Sequence, residues 1–192
     1  MYVCMCVCMY VCMYVYMYVC MYVRIRHCLP KSILFKLYYT LILPYLSYCN
    51  ICWGSNYTTR LKHLFTLQKR AIRIVCNMHW MASTDSLFKP NKLLCLNDTN
   101  KFQVCLFMYC FHFNILPITF KHYFTPGLII HDHYTRQAHA YRSEAAHLKI
   151  KLFTIKCYGP HLWNKLPDYL TKLPTVGLFK SKLKNFLLDI GI

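Results

Sequence analysis

RLKHLFTLQKRAIRIVC, residues 60–76, is the stretch whose reading decides the fold. Set on a helix at about 100° per residue, it divides into two faces. Leu61, Leu64, Phe65, Ala71, Ile72 and Val75 fall on one side. Lys62, Lys69 and Arg73 form a line on the other, with His63 and Arg70 beside it. Only Arg60 and Gln68 break the division. The pattern predicts an amphipathic helix, with Thr58 or Thr59 placed to cap it after the stop signal Gly54-Ser55-Asn56. Its apolar side needs a partner. The two most apolar segments, residues 34–53 and 102–113, flank it in sequence, so the expectation is a basic helix clamped between two greasy ones. The cationic line reads either as a solvated face or as a contact for a polyanion.

Composition says what kind of partner the second would require. The chain has 192 residues, enough for a real core, and 57% of them are apolar. Lys and Arg number 23 against six acidic residues, a formal charge of +17. That imbalance points to a polyanionic partner, a nucleic acid or an anionic membrane surface. The cysteine total is 13, an odd number, and Cys4, Cys6, Cys8, Cys12 and Cys20 lie within a repeat. The thiols outside it, scattered over a long apolar chain, suit a reducing intracellular compartment better than a secreted disulfide framework.

The repeat is MYVCMCVCMYVCMYVYMYVCMYV, residues 1–23, with a four-residue period and two exceptions, Cys6 and Tyr16. A tandem ATGT tetranucleotide read in frame encodes Met-Tyr-Val-Cys, and each exception is one base away. The segment therefore reads as translated simple-sequence DNA, residues 1–23, set before a second region, residues 24–192, and not as a fold signal. Two structural readings stand beside that. The uncharged run is long enough to cross a bilayer, with Arg24 and Arg26 as a positive flank. Its Tyr, Val and Cys content also has strand propensity, which favours aggregation. A zinc site from the Cys-x-Cys-x-Cys spacing lacks a histidine and the right geometry.

Beyond the repeat, Pro30 can open a helix at its first turn. Residues 31–53 are apolar nearly all round, and Pro44 should kink them; Lys36, Asn50 and that proline favour a buried core helix over a membrane span. Ser83-Thr84-Asp85 caps a short helix to about Leu94, interrupted by Pro90. Residues 101–117 form a long core run ended by Pro117. Residues 125–146 read as a loop, 148–159 as an alternating strand or hairpin arm, and 162–166 as a short helix. The last helix, about 176–190, places Val176, Phe179, Leu183, Phe186, Leu187 and Ile190 on one face. The fold class is mainly α, an irregular helical bundle with one short β-hairpin near 148–158.

Chemistry-bearing groups do not cluster. Cys49-x-x-Cys52 has half a zinc-ribbon spacing without a second pair, and reads as core packing. His131-Asp132-His133 is a metal-capable triplet whose adjacent side chains rarely meet on one ion, and it reads as a solvated loop. His63, His79 and His112 read as surface or core-boundary residues. Asp85, Asp98, Asp132, Glu144, Asp168 and Asp189 are each isolated, whereas two-metal phosphoryl transfer needs convergent carboxylates. No nucleophile elbow or Gly-rich phosphate loop is present. The expectation is a chain with no catalytic residue, no metal and no cofactor.

Several blocks then share an order with a known family. LYYTLILPYLSYCNICWGSNY (37–57) followed by LFTLQKRAIRIV (64–75) resembles the region just beyond the catalytic core of reverse transcriptases from LINE-type (non-LTR) retrotransposons. SLFKPNKLLCLND (86–98), FMYCFHFNILPITFKHYF (107–124), HDHYTR (131–136), GPHLWNKLP (159–167) and FKSKLKNFLL (179–188) resemble that family's C-terminal part in the same order. RIRHCLP (24–30) resembles the stretch leading into it. The resemblance implies the thumb and following region, a helical element that grips a template–primer duplex, with the palm and its metal-binding aspartates lying upstream of residue 24. No catalytic residue is carried over, and no zinc knuckle of the family's kind is visible. Under this reading Lys62, Lys69, Arg70 and Arg73 would be sequence-independent contacts to RNA or DNA phosphates. The expected function is thus a catalytically inactive, reverse-transcriptase-like fragment with residual nucleic-acid binding, a membrane not being the favoured partner. A small membrane protein anchored by residues 1–23, and a helical interaction module, remain as alternatives.

Overall fold

A computed structural model describes residues 2–127 and 140–189. Among these the chain is helical, without a strand, and carries one isolated antiparallel bridge, Pro126–Tyr141. The mainly α expectation holds. Two compact units divide it, Met1–Asn100 and Lys101–Ile192, with the boundary falling inside one helix.

In the first unit the repeat is itself a helix, α1, Tyr2–Ile25. This corrects the reading of residues 1–23 as carrying no fold signal, and the strand reading with it. A period of four advances only about 40° per repeat on an α-helix, so the valines stay on one stripe. Val11, Val15 and Val19 are buried, with Tyr22 continuing the line, while Met9, Met13 and Met17 face outward. On a strand the same repeat would place apolar residues on both faces and define no core side.

Helix α2, Lys31–Leu37, starts directly after Pro30. The single helix predicted over 31–53 is instead broken. A π-helical turn, Tyr38–Ile42, leads into α3, Leu43–Ser47, and Cys49 then turns left-handed (φ 48°) before α4, Asn50–Trp53. Pro44 removes one amide donor and crowds the preceding turn, and the wider turn takes up that defect. Leu34, Tyr38, Ile42 and Leu46 are buried, so the segment is one-faced and not apolar-buried all round. The CxxC pair is corrected as well: Cys49 and Cys52 are exposed, while Asn50 and Trp53 of the same turn take the buried side.

Gly54 ends the segment where no other residue fits, since an added Cβ would run into the Asn50 and Asn100 side chains. Those two asparagines form a buried network: Asn50 donates to the Leu46 carbonyl at 2.8 Å, Asn100 to the Asn50 carbonyl at 3.0 Å, and Ser55 to Asn100 Oδ1 at 2.9 Å.

Helix α5, Thr58–Val75, is the predicted basic helix, with Tyr57 rather than a threonine at the capping position. Its partners are α1 and α2. The repeat helix covers α5, a partner that the sequence pattern did not name, and residues 102–113 belong to the second unit. Covered on two sides, α5 buries more than one stripe: Leu67, Gln68 and Ile74 join Leu61, Leu64, Ala71, Ile72 and Val75. Gln68, which broke the sequence pattern, donates to the Tyr38 hydroxyl at 3.2 Å and the Leu94 carbonyl at 3.0 Å. Helix α6, Asp85–Phe88, stops before Pro90, short of the predicted Leu94.

The boundary between units falls in α7, Leu96–His112. In the second unit its residues Phe107 and Phe111 meet Phe120, Phe124 and Tyr141 edge to face, and Tyr109 stacks on Phe179 at 4.3 Å between ring centroids. The predicted hairpin near 148–158 is absent. Lys149–Phe153 is a 3-10 turn, and α8, Ile155–Trp163, follows, overlapping only the start of the short helix predicted at 162–166. Leu148, Ile150 and Leu152 alternate, yet all are exposed, so the alternation has no buried face to satisfy. Glycine at 159 lets α8 approach Met108, whose sulfur would lie 2.9 Å from an added Cβ. Helices α9, Asp168–Thr171, and α10, Val176–Asp189, complete the unit. Phe179, Leu183 and Leu187 of α10 are buried as predicted, with Val176 and Phe186 half-buried; Ile190 lies outside the described residues.

Candidate nucleic-acid interface

The basic residues of α5 do not act as one line. Lys62 and Arg70 are exposed. Lys69 is engaged within the fold: its ammonium lies 3.2 Å from Asp85 Oδ1 and 4.6 Å over the Phe65 ring. Arg73 is half-buried and donates its Nε–H to the Ala82 carbonyl at 2.7 Å. Helix periodicity placed these cations together, but Ala82 in the loop after α5 takes Arg73 and Asp85 at the start of α6 takes Lys69.

What the fold brings together instead is a groove of about 500 Å³ in the first unit, where Arg26, Arg70 and Arg73 converge with Trp80. Val23 and Ile74 supply apolar wall. Arg26 comes from just beyond α1, and its Nε–H donates to His27 Nε2 at 2.9 Å. The indole of Trp80 is 70% exposed on the loop after α5, beside the exposed Met78 and Met81. Among the described residues no carboxylate lines the groove. Three arginines with no acid among the described lining residues bring positive charge to a groove whose walls are largely apolar, and planar guanidinium forks match phosphate oxygens.

The sequence marked Arg26 only as a positive flank of the repeat, and did not mark Trp80. Arg26 reaches the groove only because α1 lies along α5, a packing that a uniformly apolar repeat does not announce. Trp80 sits in a loop without periodicity, where its sole signal is a large aromatic residue among turn residues.

The acids are dispersed. Asp85 is with Lys69, Asp98 accepts from Cys95 Sγ at 3.0 Å, Glu144 lies 3.2 Å from Lys156 and 3.6 Å from Lys151, and Asp168 is 3.4 Å from Lys172. The Lys156 hydrogen bond, with Lys151 adding to it, holds the Glu144 carboxyl below its ordinary range. Among the described residues no three His, Cys, Asp or Glu side chains gather as metal ligands. His131-Asp132-His133 lies outside the described residues. His63 and His79 are exposed, and His112 Nδ1 is 2.9 Å from the Tyr141 hydroxyl.

No protein-family model, curated protein or solved structure matches this chain.

Proposed function

We propose that the chain binds the phosphate backbone of nucleic acid without base preference, through Arg26, Arg70 and Arg73, and performs no polymerase chemistry. The observation that carries this reading is that three arginines line one groove with no carboxylate among its described lining residues. The formal charge of +17 supports it by drawing any polyanion to the surface. It is in keeping with the resemblance of residues 24–192 to the thumb and following region of LINE-type reverse transcriptases. Lys62 belongs to the same surface as a peripheral contact; Lys69 contributes less, being held by Asp85.

Titrating the purified chain with a mixed-sequence duplex at several NaCl concentrations tests the reading. Affinity should fall with salt, at a log–log slope of about −0.9 per phosphate neutralised. Arg26→Ala with Arg70→Ala should weaken binding to every sequence alike and flatten that slope by about two. An unchanged slope in the double variant would overturn the assignment. RNA-templated primer extension should give no product, and a product that survives repurification would sink the non-catalytic part.

A second reading rests on α1. Cys6–Ile25 is long and apolar enough to cross a membrane, with only 22% of its most apolar window buried. Carbonate extraction tests it: retention in the membrane pellet favours an anchor, and release excludes an integral membrane protein.

A further inference from the structure

We propose that the groove selects single-stranded nucleic acid, seating a phosphate on Arg70 and Arg73 and stacking one unpaired base on the Trp80 indole. The assignment rests on the phosphate-binding reading above and adds the class of strand. Its starting point is Trp80. An indole 70% exposed, next to Met78 at 41% and Met81 at 68%, is a large apolar surface left in water at the rim of a cationic groove. The other two tryptophans, Trp53 and Trp163, are buried at 1% and 5%, so exposure is particular to this position. Backbone phosphates alone would need the arginines and would make no use of an aromatic plane or of the apolar wall from Val23 and Ile74.

A planar, partly apolar group carrying an adjacent phosphate uses all of these. The base faces of a duplex are already stacked on one another and reach a side chain only at its ends. Single strands present each base face, and aromatic stacking with a tracking line of cations is how such strands are held. The groove volume, about 500 Å³, lies within the range of clefts that enclose small ligands, roughly 300–1,000 Å³. Arg73 is fixed against the Ala82 carbonyl, so the loop bearing Trp80 and the guanidinium are set relative to each other before any ligand arrives. Preorganisation of this kind reduces the ordering cost of binding.

The test uses the full chain and three fluorescein-labelled probes: a fifteen-nucleotide oligothymidine, the same backbone with abasic residues, and a mixed-sequence duplex of equal length. Anisotropy at one fixed NaCl concentration should rank oligothymidine above both other probes. Trp80→Ala should weaken oligothymidine binding about tenfold, as expected for one lost stacking contact, and weaken duplex and abasic binding much less. Trp80→Phe should recover most of the loss. Far-ultraviolet circular dichroism confirms the fold of each variant. If Trp80→Ala weakens all three probes equally, or none, the stacking assignment is overturned while the phosphate reading stands. If Arg26→Ala with Arg70→Ala leaves all three probes bound as before, the phosphate reading falls and takes this one with it.

Discussion

Arg73 and Ala82 are joined by a hydrogen bond of 2.7 Å from the guanidinium Nε–H to the main-chain carbonyl, which ties the end of α5 to the loop that carries Trp80. The bond makes Arg73 a structural residue as well as a cation of the groove. A hydrogen bond from a charged donor is worth about 1.5–3 kcal/mol when buried; half-exposure of the side chain places this one nearer 1 kcal/mol. Arg73→Ala should lower the melting temperature by about 2–4 °C, the shift expected per kcal/mol for a chain of this size. Exposed Arg70→Ala should leave it within about 1–2 °C, since surface changes stay within about 0.5 kcal/mol. Differential scanning calorimetry distinguishes the two. Equal shifts would mean that the Arg73–Ala82 bond holds nothing.

The repeat makes a sharper case. Val15 is 0% exposed in the core shared by α1, α2 and α5, whereas Met13 of the same helix is 54% exposed. Val15→Ala removes two buried carbons, at about 0.8 kcal/mol each plus a cavity term, for roughly 2 kcal/mol in all. Met13→Ala should change stability by less than about 0.5 kcal/mol. Urea unfolding midpoints measure both. Equal midpoints would show that α1 does not pack as described, and would favour the membrane reading of this helix.

Gly54 and Gly177 should respond oppositely to alanine. At Gly54 the new methyl would meet the Asn50 carbonyl oxygen at 2.6 Å and Asn100 Nδ2 at 2.6 Å, disrupting a buried polar network that cannot move cheaply. Overpacking of this kind costs about 1–3 kcal/mol, with the broken hydrogen bonds in addition. At Gly177, in the first turn of α10, nothing lies within 4 Å. Alanine there restricts the unfolded chain and suits the helix, so stability should rise by about 0.4–1 kcal/mol. Two denaturation curves decide the signs.

The basic helix was legible in the sequence because its polar and apolar residues separate at the helical period, and α5 runs from Thr58 to Val75 accordingly. The repeat was not, because Met, Tyr, Val and Cys are all apolar and contrast between faces is what periodicity detects. Only the α-helical period turns that repeat into a valine stripe. Gln68 looked like a flaw on its face until Tyr38 and Leu94, distant in sequence, supplied its partners. The alternation of Leu148, Ile150 and Leu152 suggested a strand, but alternation specifies one only where a face is buried. At the groove, Arg70 and Arg73 could be picked from the helix, while Arg26 and Trp80 required the packing of α1 along α5 and the course of a loop.

The thiols give a prediction in pH. Burial pushes Cys95 up from about 9 to about 11, helped by the Asp98 carboxylate that accepts its S–H at 3.0 Å, and burial pushes Cys105 to about 12. Cys28 and Cys49 are exposed. Because the thiolate is the nucleophile, iodoacetamide at pH 8 should modify the exposed Cys28 and Cys49 well before Cys95 and Cys105, as read by peptide mass spectrometry. Asp98→Asn removes the acceptor charge that opposes ionisation, so it should speed modification of Cys95 without changing Cys105. The linkage to stability follows in sign. A folded-state value raised above the unfolded one contributes stability that is present below about pH 9 and lost as pH rises through about 11 for Cys95. Tyr38, pushed up to about 12 by burial, extends the loss to higher pH. Alkaline unfolding followed by circular dichroism should therefore begin above pH 9, and Cys95→Ala should shift its onset upward. Modification of Cys95 as fast as Cys49 at pH 8 would show that this thiol is not sheltered in solution.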